Sequence, residues 1–107
     1  MAETYAAANV DGQLTTTLAQ IVAAPAAGSE KRVNLTLANI AAADVTFDLT
    51  RRISSTDRYI GKAVPAKVGE PVQYLEIILV AGSALWARAS AATSVDFTAD
   101  VVTKTVT

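Results

Sequence analysis

The chain of 107 residues contains no cysteine and no histidine. The absence of cysteine excludes disulfides, thiolate nucleophiles and thiolate metal ligands. The absence of histidine removes the most common general base, the base of serine triads and the most common metal ligand. Acid–base chemistry would therefore depend on carboxylates, lysines and tyrosines, and we expect the protein not to be an enzyme.

Aromatic residues make up only 6% of the chain, although 51% of it is hydrophobic because alanine is abundant. Small side chains bury little surface each, so we expect a thin core between closely packed sheets. Nine basic and ten acidic residues give a formal net charge of −1, with no long run of one sign. This balance predicts neither the basic face of a nucleic-acid-binding protein nor attachment to an anionic membrane.

Long hydrophobic runs are also missing. The longest, at about residues 75–85, is well short of the roughly 20 residues that span a bilayer. The N-terminal segment lacks a basic start followed by an apolar stretch, so we expect no secretory signal and a protein made in the cytoplasm. The five glycines are dispersed and form no dinucleotide-binding or phosphate-binding motif, so we expect no cofactor.

The strongest pattern that is present is alternation of apolar and polar residues across residues 32–53. Every second residue is large and apolar at residues 33–37, and again at residues 45–49. A period of two predicts strands with one buried face. The segment between them, residues 39–44, is short enough to join neighbouring antiparallel strands, and we therefore predict a β-hairpin.

Further segments typical of strands are residues 13–23, 58–64, 72–80, 84–90 and 94–104. Gly61 indicates a bulge in the second of these. Seven or eight short, evenly spaced strands predict one all-β domain, an antiparallel β-sandwich (jelly-roll or immunoglobulin-like) over residues 13–107, with a barrel as the alternative. Residues 1–12 are alanine-rich and end in the turn signal Asp11-Gly12, so they are predicted to form a loose N-terminal arm or a weak edge strand.

Residues 72–80 are the most apolar of the predicted strands. Leu75, Ile77 and Leu79 share one face, while Ile78 and Val80 lie on the other. Apolar residues on both faces indicate a strand that is covered on both sides.

Pairs of carboxylates are the remaining candidates for catalysis or metal binding. Asp96 and Asp100 share one face of a predicted strand. At about 3.3 Å per residue, their Cα atoms are roughly 13 Å apart, beyond the about 5–9.5 Å of paired-carboxylate glycosidases. The sequence contains no calcium-loop pattern. We therefore expect a solvated strand face, with no catalytic and no metal-binding residues.

Aromatic residues and arginines are the candidates for an interface. Trp86 follows Leu85 and so lies opposite the inward face of its strand, where it could stack on a sugar or anchor a protein contact. We expect it in a core or a subunit interface. The interface candidates are Tyr5, Arg51, Arg52, Arg58, Tyr59, Trp86 and Arg88. For the arginines, ordinary surface charge is the alternative.

Three segments carry a resemblance to a known group of proteins. Residues 20–25 (QIVAAP) resemble a strand that ends in a "TVPA"-like loop, residues 37–46 (LANIAAADVT) contain the pattern ANxxAxxxT, and residues 79–90 (LVAGSALWARAS) contain LxAGxxLxAxAS. A closing hydrophobic strand follows at residues 95–102. In these features the chain resembles small tailed-bacteriophage virion proteins with a β-sandwich fold. The resemblance covers roughly residues 14–105 and departs at Ser83, where the family often carries an acidic residue.

The resemblance implies a structural role with no catalytic residues. Its most specific form is a capsid decoration (cement) protein, and neck, tail and fibre-associated proteins are also included. It implies contacts with the major capsid protein or other virion proteins, a homo-oligomer with a trimer favoured, and a location in the virion. The alternative is a tail- or fibre-associated carbohydrate- or receptor-binding module that uses Trp86, Tyr59 or Tyr74.

Overall fold

The computed structural model describes residues 2–106, and the regular structure in that range is entirely β. The strands are β1 (Glu3–Gln13), β2 (Ala19–Val22), β3 (Ser29–Asn39), β4 (Val45–Ile53), β5 (Thr56–Ala66), β6 (Val72–Leu79), β7 (Ser83–Ala89) and β8 (Val95–Val106). They form two four-stranded antiparallel sheets, sheet A in the order β1-β8-β3-β6 and sheet B in the order β2-β7-β4-β5. The predicted β-sandwich is confirmed, and the barrel alternative is not found.

The topology follows from one tight turn. Ser54 and Ser55 both have positive φ, 50° and 66°, as the two-residue turn of a hairpin requires. Outward from this turn the chain pairs with itself in order: β4 with β5, β3 with β6, β2 with β7 and β1 with β8. Rolling up this folded ribbon adds the pairs β3–β8 and β4–β7. The result is the strand order of a jelly roll, one of the two predicted sandwiches.

The core lies between the inner faces of the two sheets. The alternation at residues 33–37 correctly predicted its contribution from β3, and Phe47 and Leu49 of β4 are also buried. The rings of Phe47 and of Tyr74 on β6 form a T-shaped pair, with 6.2 Å between their centroids. The inner face of β8 supplies Val95, Phe97, Ala99 and Val101.

Residues 32–53 do not form the predicted hairpin. β3 lies in sheet A and β4 in sheet B, so residues 40–44 cross between the sheets. The Nδ2 atom of Asn39 donates to the carbonyl oxygens of Ala43 and Ala66, and its Oδ1 accepts from the N–H of Ala41 at 2.7 Å. The prediction failed because alternation identifies the buried face of a strand, and strands in facing sheets show the same alternation as hairpin partners.

Residues 3–12 belong to an edge strand, the second of the two predictions for this segment, and not to a loose arm. β1 pairs with β8 residue by residue, from Glu3 opposite Val106 to Gln13 opposite Asp96, without a bulge. Asp11-Gly12 lies within this strand rather than in a turn, and Met1 is outside the described residues. The low content of large apolar residues fits the exposure of most of β1. It gave no information about backbone pairing, which needs no large side chains.

β6 is an edge strand of sheet A, and it is not covered on both faces, because Ile78 and Val80 are 45% and 56% exposed. A bulge places Leu75 and Glu76 together opposite Asn34, whose Oδ1 accepts from the N–H of Glu76 at 2.9 Å. The extra residue turns Leu75 away from the core, and this side chain is 68% exposed. The alternation predicted for Leu75 with Ile77 was wrong because a bulge breaks the period of two.

Candidate interaction surfaces

The outer face of sheet B brings four of the predicted interface residues together. Arg52 of β4, Tyr59 of β5, and Trp86 and Arg88 of β7 lie on neighbouring strands and point away from the core. Thr50 stands opposite both Trp86 and Tyr59, which places these side chains in one cross-strand row. We call this face, with Asp48, Thr50, Arg52, Asp57, Tyr59, Lys62, Trp86 and Arg88, the sheet B surface.

Arg52 is the centre of this surface. Its guanidinium lies 3.7 Å from the centroid of the Trp86 ring, and it forms two hydrogen bonds with Asp57, Nε to Oδ1 and Nη2 to Oδ2, both at 2.9 Å. Thr50 Oγ1 donates to the same carboxylate at 3.1 Å. The bond from Arg52 lowers the pKa of Asp57. Trp86 is thus half-buried beneath a paired arginine, and a flat ligand would have to displace Arg52 from that face of the ring.

A second ion pair lies farther along the same face. Arg88 Nε donates to Asp48 Oδ2 at 2.7 Å, and the N–H of Ala63 donates to Asp48 Oδ1 at 2.8 Å. The bond from Ala63, with a smaller contribution from Arg88, holds the pKa of Asp48 below its ordinary value although burial opposes the shift. A depression of about 380 Å³ adjoins the pair and is also lined by Lys62 and Ser90. Asp48 is therefore an ionised, well-paired group, which favours a structural role.

The structure places the other predicted interface residues elsewhere. Arg51 and Arg58 stand opposite each other in the β4–β5 hairpin and are both exposed. They belong to the face opposite the sheet B surface. Tyr5 lies on β1 in sheet A, is 64% exposed, and donates from Oη to Glu3 Oε2 at 3.0 Å. The arginines that are close in the sequence thus divide between two faces of one hairpin.

Sequence reasoning missed the outer face of sheet A. Val102 stands opposite Arg32, which stands opposite Ile78, so two exposed apolar residues flank a charge. A depression of about 310 Å³ on this face is lined by Arg32 and Val102, together with Tyr5 and Lys104. The register that joins these residues is set by pairing between distant segments, so no local signal in the sequence identifies the group.

Acidic side chains do not gather into a metal site in the described chain. Residues 2–106 contain no group of three acidic, histidine or cysteine side chains that could hold a metal ion. Asp96 accepts from Gln13 Nε2 at 3.0 Å, and Asp100 is exposed on the same strand. No helix long and apolar enough to cross a membrane is found in this range.

Comparison with known proteins gives a likeness of fold. No family model matches the sequence, and no curated protein matches it. A solved structure described as "Bacillus endospore appendages form a novel family of disulfide-linked pili" is similar, with a TM-score of 0.64. The match covers 98% of this chain and 89% of that chain at 11% sequence identity. At this identity, the likeness concerns the fold alone.

Proposed function

We propose that the protein is a non-enzymatic structural subunit that acts through protein–protein contacts, and that it serves as a capsid decoration protein on a bacteriophage head. The observation that carries the proposal is the sheet B surface, where Trp86, Tyr59 and paired arginines lie on neighbouring strands. Tryptophan, tyrosine and arginine are the side chains that most often dominate the energy of protein interfaces. The sequence resemblance supplies the virion as the setting.

The sheet B surface is suited to binding because it is already ordered. Arg52 is held by both Asp57 and the Trp86 ring, so little side-chain freedom remains to be lost when a partner covers it. Tyr59 is 48% exposed beside this cluster and offers apolar area that a partner can bury.

Charge indicates the kind of partner. On the sheet B surface the three basic residues Arg52, Lys62 and Arg88 outnumber the two acidic residues Asp48 and Asp57, which gives this face a formal net charge of +1. The whole chain, in contrast, carries a formal net charge of −1. Complementary potentials guide association, so we propose that the partner, the major capsid protein or another virion protein, presents an acidic patch here.

A second candidate is a subunit of a filament, favoured by the likeness of fold to the spore appendage structure. That protein is described as forming disulfide-linked pili. The present chain has no cysteine, so a filament built from it would not be linked by disulfides. The carbohydrate-binding alternative has less support because Arg52 already occupies one face of Trp86.

Co-sedimentation with purified phage heads that lack their decoration protein tests the proposal. We expect the protein to bind heads at a regular stoichiometry, and Tyr59→Ala to weaken binding at least tenfold. Leu75→Ala is the matched control, because Leu75 is also exposed and apolar but lies on β6 of the other sheet. Failure to bind heads, together with filaments in electron micrographs, would favour the second candidate. Failure together with binding to a glycan would favour the receptor-binding alternative.

A further inference from the structure

Three of the four sheet edges in the described chain have features that hinder pairing with another strand. β2 is only four residues long. β5 contains Pro65 and has two shifts of register against β4. β6 is bulged where Leu75 and Glu76 oppose Asn34. Short strands, prolines and bulges are the devices by which proteins prevent their edges from pairing with other chains.

β1 has none of these devices. It is eleven residues long, contains no proline, lysine or arginine, and keeps an unbroken register with β8. Ala6, Ala7 and Ala8 at its centre are exposed and small enough to let another strand approach. A long, regular, uninterrupted edge is a template for adding a strand.

The direction of each backbone group along β1 follows from one hydrogen bond. The N–H of Leu14 donates to the carbonyl of Val95 at 2.9 Å. In an antiparallel ladder, hydrogen-bonded and non-hydrogen-bonded pairs alternate. Even-numbered residues of β1 therefore bond to β8, and odd-numbered residues such as Tyr5, Ala7 and Asn9 point their N–H and C=O groups away from the sheet.

We propose that β1 pairs with β1 of a second copy of this chain, antiparallel about a two-fold axis that passes beside Ala8. The two copies of sheet A then form one continuous sheet. In this arrangement, the outward N–H and C=O groups of the odd-numbered residues of one β1 face the same groups of the other β1, so that each donor meets an acceptor. The inference rests on the proposed function in one respect: it takes the chain to be a structural subunit and names the surface through which two copies associate.

Overlap and charge select the register. Centring the pair on Ala8 aligns all of Glu3–Gln13 with its copy and places Tyr5 opposite Asp11, with no acid opposite an acid. Centring it on Ala7 would place Glu3 opposite Asp11, and like charges directly opposite are destabilising. Centring it on Asn9 would leave the first residues of β1 unpaired.

The first test is the mass of the purified chain by light scattering. We expect twice the 11.1 kDa of one chain. A trimer, favoured by the sequence resemblance, cannot be closed by an isologous strand pair, so a trimeric mass overturns the proposal. A monomer at every concentration up to about 1 mM, a weak limit for association, also overturns it.

The second test uses a single introduced cysteine to measure the register. In the proposed pair, Ala8 faces the partner's Ala8 at a non-hydrogen-bonded position, with Cα atoms about 4.5 Å apart, which is within reach of a disulfide. Ala6→Cys is the matched control: it is exposed on the same face, but its two copies would be roughly 13 Å apart. We expect oxidised Ala8→Cys to form a covalent dimer and Ala6→Cys to stay uncrosslinked. Crosslinking of Ala6→Cys alone would overturn the register.

A third variant separates this inference from the proposed function. Ala7→Pro removes an outward N–H and leaves the bonds of even-numbered residues to β8 in place, so we expect a folded monomer. A dimeric Ala7→Pro variant would overturn the proposal. A monomeric wild-type chain that loses head binding with Ala7→Pro would show that a virion protein occupies the edge instead. A dimer that ignores heads would refute the function and leave the inference standing.

Discussion

Replacing Phe47 with alanine tests the placement of the core. Phe47 is 1% exposed and lies on β4, which is flanked by β5 and β7. Buried Phe→Ala changes typically cost about 3–5 kcal/mol, depending on how far the surroundings collapse into the cavity. Ladders on both sides fix the backbone of β4, so little collapse is available. The edge-on contact with Tyr74 is also lost, a pair worth about 0.5–1.5 kcal/mol. We therefore expect a loss of about 4 kcal/mol in the free energy of unfolding.

Urea unfolding followed by the fluorescence of the single tryptophan measures this loss. A domain of this size has a total stability of about 5–15 kcal/mol, so Phe47→Ala retains little and could fail to fold. Phe47→Leu keeps most of the volume, and we expect it to lose about 1–2 kcal/mol. Tyr59→Ala, at an exposed position, should change stability by less than about 0.5 kcal/mol. A loss below about 1 kcal/mol for Phe47→Ala would refute the assignment of faces in β4.

Three further changes test separate contacts. Gly61→Ala would place a Cβ 2.7 Å from both Tyr74 Oη and Val64 Cγ2. We therefore expect the free energy of unfolding, measured in urea, to fall by about 1–3 kcal/mol. The double variant with Tyr74→Phe should lose less than the sum of the two single losses, and strict additivity would contradict the contact. Because the pKa of Asp48 is lower in the folded chain than its ordinary value of 3.8, the ionised carboxylate stabilises the fold at pH values above 3.8. This contribution is lost as the pH falls through the pKa of the folded state. The melting temperatures of the wild-type and Asp48→Asn proteins should therefore converge between pH 5 and about pH 2, and a constant difference would argue against the shift. Arg52→Ala should uncover the Trp86 ring, increase its quenching by acrylamide and shift its emission to the red, whereas Arg88→Ala should not; equal quenching in both variants would contradict the stacking.

The sequence was sufficient to predict the class of fold and the buried face of several strands. The alternation at residues 33–37 and 45–49 identifies the inner faces of β3 and β4, because a sandwich buries one side of each strand. Gly61 was correctly associated with a bulge, since β5 shifts register on both sides of it. These features depend on neighbouring residues in the chain, and local patterns can therefore reveal them.

Pairing between distant segments could not be predicted in this way. The partners of β3 are β6 and β8, and nothing in residues 29–39 distinguishes them from β4. The same limit applies to the candidate surface. Trp86 and Arg52 were each identified as candidates, but their stacking depends on the register between β4 and β7. Asp57 was missed because its importance comes from its position opposite Arg52.

The two proposals have a joint consequence for binding. Residues that stand opposite each other in a strand pair project to the same side of the sheet, so a β1–β1 pair would leave both copies of sheet B on one side of the joined sheet A. The dimer would then present two sheet B surfaces in the same direction. Two linked sites can bind a regular array of partners more tightly than one site, by a factor on the order of 10²–10⁴. A monomeric Ala7→Pro variant should therefore bind heads more weakly than the wild-type dimer although its sheet B surface is unchanged, and equal affinity would show that the two surfaces do not act together.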